Sequence, residues 1–417
     1  LKANKLYHFF ENTLSLFSVK AIDLAIAIWL IPYLILKVGL QNYGVYAFAL
    51  ALLFFFMNIT NYGFNLVAVR DLAKKATDNQ KTIDVIFNEV FSVKLYLTGL
   101  LLIVMLLLIL FVPKFSSYKL VYLFASFLLI SDLFSLRWFF LGMEKMKFLP
   151  AINLVATLIY VLLVILFIRQ PKDFVYIILF EAIGMLIAGF ISFTYVLNEY
   201  QLTIKILPFK KVRKYMVANF SSFINLLVPS VLSNIAMLLV GFFSIPTHVS
   251  FMQLGVKFSN AFSTINAILT KVFYPMVNRN TSAMKLAFKV LISVGFILAV
   301  AMYFSADFLI KPWLKLENAY ALEQVVFIIK LLSPTPLLMA IISSYSVNGL
   351  LVFGKDKVVG VITVFATLTG LIIGVFLIIK YTYLGGAVFL IAARGLYALL
   401  SYVLFKKNNA ETGLIQK

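Results

Sequence analysis

Runs of twenty or more apolar residues recur from one end of the chain to the other, and they fix its solvent. A helix needs about 20 such residues to cross a hydrocarbon core about 30 Å thick. Twelve segments qualify: 12–36, 43–66, 84–112, 119–141, 149–168, 174–197, 215–241, 249–277, 285–310, 325–352, 358–380 and 384–405. Composition agrees, with 63% hydrophobic and 12% charged residues and a mean hydropathy of +1.02. A soluble domain has about 45–50% apolar and about 25% charged residues. The expected fold is all-α: a polytopic membrane protein of about twelve transmembrane helices.

The net charge of +20 would point to nucleic acid in a soluble protein. In a membrane protein its placement matters more, because cytoplasmic loops collect Lys and Arg. With the N-terminus inside, the inward segments carry twenty-one Lys and Arg and the outward segments eight. That bias, with an even number of spans, predicts both termini in the cytoplasm. The longest inward segment, 198–214, is rich in cations and lies between spans six and seven. The predicted organisation is a six-helix bundle over 1–197, a cytoplasmic linker over 198–214 and a second six-helix bundle over 215–417. Two such halves suggest a repeat with a pathway between them.

Some chemistries are excluded early. There is no cysteine, and the two histidines, His8 and His248, lie in unrelated segments. A thiol nucleophile is absent, and a zinc hydrolase site is not expected. The opening LKANKLYHFFENT is amphipathic and lacks the form of a signal peptide.

Seven cations remain inside the spans: Lys20, Lys94, Arg137, Lys257, Lys271, Lys330 and Arg394. The spans also hold Asp23, Glu89, Asp132 and Glu181, with Asp307 near an outer end. Each charge facing lipid at mid-span costs roughly 2.5–3.5 kcal/mol, so these groups need water or partners. Lys20 and Asp23 are spaced to pair on their own helix. Glu89/Lys94 and Asp132/Arg137 are five apart and need partners on other helices. The second half has four cations and no mid-span carboxylate.

Span eight places Lys257, Asn260, Thr264 and Lys271 on one side of an apolar helix. Span seven repeats the pattern with Asn219, Ser222, Ser230, Ser233 and Asn234, and Pro229 is expected to interrupt it. Span ten carries Lys330, Ser333, Ser344 and Asn348 and is broken by Pro334 and Pro336, while Arg394 lies near the centre of span twelve. Uncompensated cations favour an anion, and hydroxyls and amides favour a hydroxyl-rich ligand. A polyprenyl-pyrophosphate-linked glycan combines the two. Plain packing is the competing explanation for the serine and amide stripes, and for Gly370-x-x-x-Gly374 in span eleven it is the preferred one.

The string NYGFNLVAVRDLAKK (61–75) closes span two. Asn58, Asn61 and Asn65 would share a helical face there, Gly63 would admit a neighbouring helix, and Arg70, Lys74 and Lys75 would anchor the inner end, with Asp71 pairing locally.

The longer stretch 38–73 resembles the N-terminal signature of O-antigen and polysaccharide flippases, the Wzx-type members of the multidrug/oligosaccharidyl-lipid/polysaccharide (MOP) exporter superfamily. Asn61 stands where many relatives carry Asp, Gly63 and Asn65 complete the Tyr-Gly-Phe-Asn motif, and Arg70 matches the loop arginine. Residues 233–279, 331–357 and 384–405 resemble later family blocks, although many relatives carry a Glu near Arg394. The resemblance implies a V-shaped pair of six-helix bundles in the bacterial inner membrane. It implies a carrier, not an enzyme, that moves undecaprenyl-pyrophosphate-linked repeat units outward by alternating access. It needs no cofactor beyond a proton or sodium gradient, and its partners are the lipid-linked glycan, membrane lipid, and the glycan polymerase and chain-length machinery. No nucleic acid is involved.

Joined to the charge pattern, this predicts substrate binding by Lys257, Arg394, Lys271, Lys330, Asn260 and Asn219, and ion coupling by Asp23, Asp132 and Glu181. A drug or cation antiporter of the same superfamily would favour cavity carboxylates. A membrane enzyme of glycan assembly would need a large outward loop or a loop carboxylate cluster, and a purely structural role leaves the buried charges unexplained.

Overall fold

The computed structural model describes residues 2–412 except 76–79; the side chains of 2–21, 23, 75, 221, 225, 226, 228–233 and 410–412 lie outside the described residues. The proposed Lys20–Asp23 pair and the side chains of Pro229, Ser230 and Ser233 therefore also lie outside them.

All regular elements among the described residues are helices. Eight stretches are individually long and apolar enough to cross a membrane. Two of them hold two passes each. Leu24–Thr60 is divided at Gly39, whose φ is +81°, and Asp356–Asn409 is divided at Thr382, whose φ is 52°. Phe209–Phe243 and Pro246–Arg279 supply the remaining two passes, which gives twelve. The protein is thus an all-α, polytopic membrane protein, as its apolar runs predict.

Two departures from expectation concern helix continuity. Phe209–Phe243 runs as one helix through position 229. Span two ends at Thr60, and 61–66 form turns instead of a further helical turn. Span ten does break where its prolines predict, between Ala319–Leu332 and Thr335–Ile342, and it continues as a π-helix over Ser343–Leu351.

The chain forms two compact units, Leu1–Ser230 and Val231–Lys417. The first part of the Phe209–Phe243 helix thus belongs with the first unit, although the sequence places the boundary in 198–214.

The first unit is built on an aromatic core. Phe87, Trp138 and Phe139 are essentially inaccessible, and Phe193 closes against Phe87 at 6.0 Å between ring centroids. Spans five and six pack so closely that a Cβ on Gly184 would lie 2.3 Å from the carbonyl oxygen of Ala156. In the second unit, a Cβ on Gly370 or Gly374 would come 2.8 Å from the Phe389 ring. The small-residue pattern of span eleven is therefore a packing seam with span twelve, as its spacing suggests.

Candidate substrate and coupling sites

The second unit holds the cationic site residues. The break in span ten, forced by Pro334 and Pro336, leaves Thr335 at the start of a new helix, facing span twelve. Arg394 on span twelve donates from Nη1 to the Thr335 hydroxyl at 3.2 Å. None of the ion pairs among the described residues involves Arg394. A guanidinium carries five donors, so one hydroxyl leaves most of its hydrogen-bonding capacity unused. Thr335 was not anticipated as a site residue; its position between two prolines was the available signal.

Span eight contributes Lys257, partly exposed, and Asn260 and Lys271, both exposed. The Thr264 hydroxyl donates back to the Asn260 carbonyl at 2.8 Å, so it satisfies its own helix. Asn266, further along the same span, clips the break in span ten by donating to the Pro336 carbonyl at 3.0 Å. On spans eight, ten and twelve, Ser259 Oγ, Asn266 Oδ1, Ser344 Oγ, Asn348 Oδ1 and Ser401 Oγ are buried without a partner among the described residues. Such atoms are uncommon in folded interiors and call for water, an ion or another occupant.

Lys330 does not join this group. Its ammonium is 2.5 Å from Asp307 Oδ2 and lies over the Tyr303 ring at 5.3 Å. Asp307, its side chain more than half exposed, neutralises it, so the second unit's cations are not all uncompensated.

The first unit holds the carboxylates. Asp132, at the end of the Lys119–Leu133 helix, pairs with Lys94 of span three at 3.1 Å, and both side chains are almost wholly buried. The Lys94 ammonium also donates to the Asp132 backbone carbonyl at 2.5 Å, which accepts the Ser135 N–H as well at 3.1 Å. Thr60 donates to Asp132 Oδ2 at 3.1 Å, and Asn61 adds a longer contact at 3.4 Å. The requirement that Lys94 and Asp132 find partners on other helices is thereby met. Arg137, exposed, plays no part in the pair.

Glu181 on span six accepts from the Tyr46 hydroxyl at 2.8 Å, and Tyr46 is linked to the Tyr160 hydroxyl at 3.2 Å. Spans two, five and six thus meet in a buried hydroxyl chain ending on a carboxylate. Asn219 spends its amide on the Tyr215 carbonyl at 3.0 Å.

The Tyr-Gly-Phe-Asn turn corrects the amide-face expectation. Asn58 and Asn61 bond back to Phe54 and Met57 of their own helix, at 2.7 Å each. Beyond Thr60 the chain turns, so Asn65 leaves the helical face and is exposed. Tyr62 and Gly63 take positive φ values of 37° and 80°. The turn aims the Tyr62 ring onto Phe223, stacked at 4.4 Å and 7°, and its hydroxyl onto the Met216 carbonyl at 3.0 Å. Arg70 pairs with Asp71 at 3.1 Å, the local pair expected from the sequence.

At the same level Lys145 lies 3.8 Å from Glu199 and over the Tyr200 ring at 5.0 Å. The Tyr200 hydroxyl beside it holds its ammonium above the ordinary lysine range.

With this geometry in hand, comparison with known proteins is informative. A family model described as "Polysaccharide biosynthesis protein" matches residues 9–281, about two thirds of the chain. The chain belongs to that family. A relative named "Putative O-antigen transporter" from Escherichia coli (strain K12) is 24% identical over 407 residues, which cover 96% of this chain and 97% of the relative. The fold of this chain is shared with solved transporters. An inward-facing multidrug resistance MATE family transporter of the MOP superfamily aligns with a TM-score of 0.71 at 13% identity, over 94% of this chain and 96% of that one. The lipid II flippase MurJ, in an inward closed conformation, aligns with a TM-score of 0.66 at 15% identity, over 97% and 88% of the two chains.

Proposed function

We propose that this polysaccharide biosynthesis protein is a flippase. It carries undecaprenyl-pyrophosphate-linked oligosaccharide units, of an O-antigen or related surface polysaccharide, from the inner to the outer leaflet of the bacterial inner membrane. It acts by alternating access, with both termini cytoplasmic, and breaks no covalent bond. The name of the Escherichia coli relative and the MurJ-like fold both support this reading. Lys257, Arg394 and Lys271 dock the pyrophosphate, and Asn260 with the buried hydroxyls of spans eight and ten faces the sugars. Lys330, held by Asp307, is left out. A proton or sodium gradient drives the cycle. Asp23 and Asp132 are candidate coupling groups, and Glu181, at the end of its hydroxyl chain, is the one best placed to relay a proton.

The observation that carries the proposal is Arg394. A guanidinium inside a span, bonded among the described residues to one hydroxyl and to no carboxylate, is costly unless an anion shares the site. A cation antiporter would place a carboxylate there.

Replacing Arg394 and Lys257 together by Ala is expected to cut surface glycan by about tenfold or more, since charge-assisted hydrogen bonds contribute about 1.5–3 kcal/mol each, while membrane insertion is unchanged. Undiminished glycan display in the inserted double variant rules out docking at these residues. Glu181→Gln, which keeps size and removes charge, is expected to flatten the pH dependence of transport in proteoliposomes. An unaltered profile removes Glu181 from coupling.

A further inference from the structure

The segment 203–207 crosses the outside of span three, held by an unusual ladder. Asp84, Asn88, Ser92 and Tyr96 follow one another at four-residue spacing, so they form one row along the Gln80–Phe111 helix. Asp84 Oδ1 accepts from the Thr203 N–H at 2.8 Å, and Asn88 receives the Lys205 N–H at 2.6 Å while donating to the Thr203 carbonyl at 2.8 Å. Ser92 Oγ accepts from the Leu207 N–H at 2.9 Å, and Tyr96 donates to the Leu207 carbonyl at 3.3 Å. Thr203, Lys205 and Leu207 are therefore fixed through their backbone, and the strap with the helix start that follows it leaves a set of side chains exposed.

Those side chains are of two kinds. Ile204, Ile206 and Phe209 are exposed apolar groups, with Phe209 at 60% exposure and edge-on to Tyr96 at 5.8 Å. Lys205, Lys210, Lys211, Arg213 and Lys214 are exposed cations, and none of them is in an ion pair among the described residues. The level of this surface is set by span three. Leu100, Ile103, Leu107 and Leu110 form a continuous exposed apolar face that stops at Tyr96, and between Gln80 and Tyr96 Val85 is the one exposed apolar residue. Tyrosine is enriched where hydrocarbon meets headgroups. The strap runs from Asp84 toward that boundary and reaches it at Leu207 and Phe209.

We propose that the strap and the first turns of the Phe209–Phe243 helix form a docking surface for the anionic phospholipids of the adjoining leaflet. Ile206 and Phe209 rest at the acyl boundary, and the five cations contact phosphodiester headgroups. Charge complementarity favours this occupant: five positive groups lie together without an acid between positions 200 and 214, and each such cation near an anionic surface contributes about 1 kcal/mol, or about fivefold. The ladder matters because it holds the apolar and basic groups in one arrangement before any lipid arrives.

The test uses the full chain in bilayers of phosphatidylethanolamine with spin-labelled phosphatidylglycerol or phosphatidylcholine. Wild type should select phosphatidylglycerol several-fold over phosphatidylcholine, with the preference weakening as salt rises. Changing Lys205, Lys210, Lys211, Arg213 and Lys214 to Gln should bring the ratio to about one at unchanged thermal stability. A matched change of Lys285 and Lys289 to Gln, exposed cations of the second unit, should leave most of the preference intact. Equal selectivity in wild type and the five-site variant overturns the proposal, as does loss of selectivity from the Lys285/Lys289 change alone.

Discussion

Lys94→Ala is expected to be among the most destabilising single changes in the first unit, at roughly 3–5 kcal/mol. The substitution leaves the Asp132 carboxylate buried beside Thr60 and Asn61 with its counter-charge gone. Unfolding in a denaturing detergent should shift far toward the unfolded side, and the amount of folded protein in membranes should fall. Lys94→Met together with Asp132→Leu should recover most of the loss, because a buried pair replaced by apolar side chains of similar volume is often neutral or stabilising. Two details favour recovery here. Thr60 and Asn61 both keep a bond to the Met57 carbonyl, at 3.0 and 2.7 Å, so neither donor is orphaned when the carboxylate goes. The double variant also separates two roles. If Asp132 serves only to hold span four against span three, the refolded protein transports normally. If Asp132 takes part in ion coupling, the protein is folded and inactive. A double variant as unstable as Lys94→Ala would show that the pair is not the source of the destabilisation.

The same network shows how far a sequence can be read. Apolar run length locates all twelve passes, because membrane thickness sets a length that depends little on neighbours. The cost of a lone charge predicts that Lys94 and Asp132 must each find a partner, but five-residue spacing cannot say that they find each other. The amide face fails for a local reason. Helical periodicity was extended through 61–65, yet Tyr62 and Gly63 adopt left-handed backbone, and only the docking of Tyr62 on Phe223 and Met216 explains why. Those partners lie about 160 positions away in sequence. Lys330 is misjudged because the spacing along its own span does not show that Asp307, on the neighbouring span, lies within its reach. The ladder of Asp84, Asn88, Ser92 and Tyr96 was present at regular spacing throughout. It carried no meaning until the strap it holds could be seen, because a polar row at the end of a span also reads as a solvated face. Arg394 was legible as a charge out of place, whereas its Thr335 partner depends on how the two prolines re-aim span ten.

Gly63→Val should show a second large effect, and its size can be divided into two physical parts. A β-branched residue at a φ of 80° meets backbone strain of about 1–2 kcal/mol. A Cβ at this position also comes within 3.2 and 3.3 Å of the Phe223 backbone and 3.3 Å of Ser222. Backbone atoms cannot rotate aside, so the turn or span seven must shift, at a typical overpacking cost of about 1–3 kcal/mol. Gly354 supplies the control. Its φ is +67°, but nothing lies within 4 Å of an added Cβ, so Gly354→Val meets the strain without the collision. Unfolding measurements on the two variants should therefore differ by about 1–3 kcal/mol, with Gly63→Val the less stable. The collision also predicts where the damage lies. Pushing the turn away from span seven breaks the stack of Tyr62 on Phe223, so Tyr62→Ala should add little to Gly63→Val while being costly alone, the non-additivity expected of two changes to one contact. Equal destabilisation by the Gly354 and Gly63 changes would mean that the turn does not bear on span seven. The Tyr-Gly-Phe-Asn string would then owe its backbone to local geometry alone.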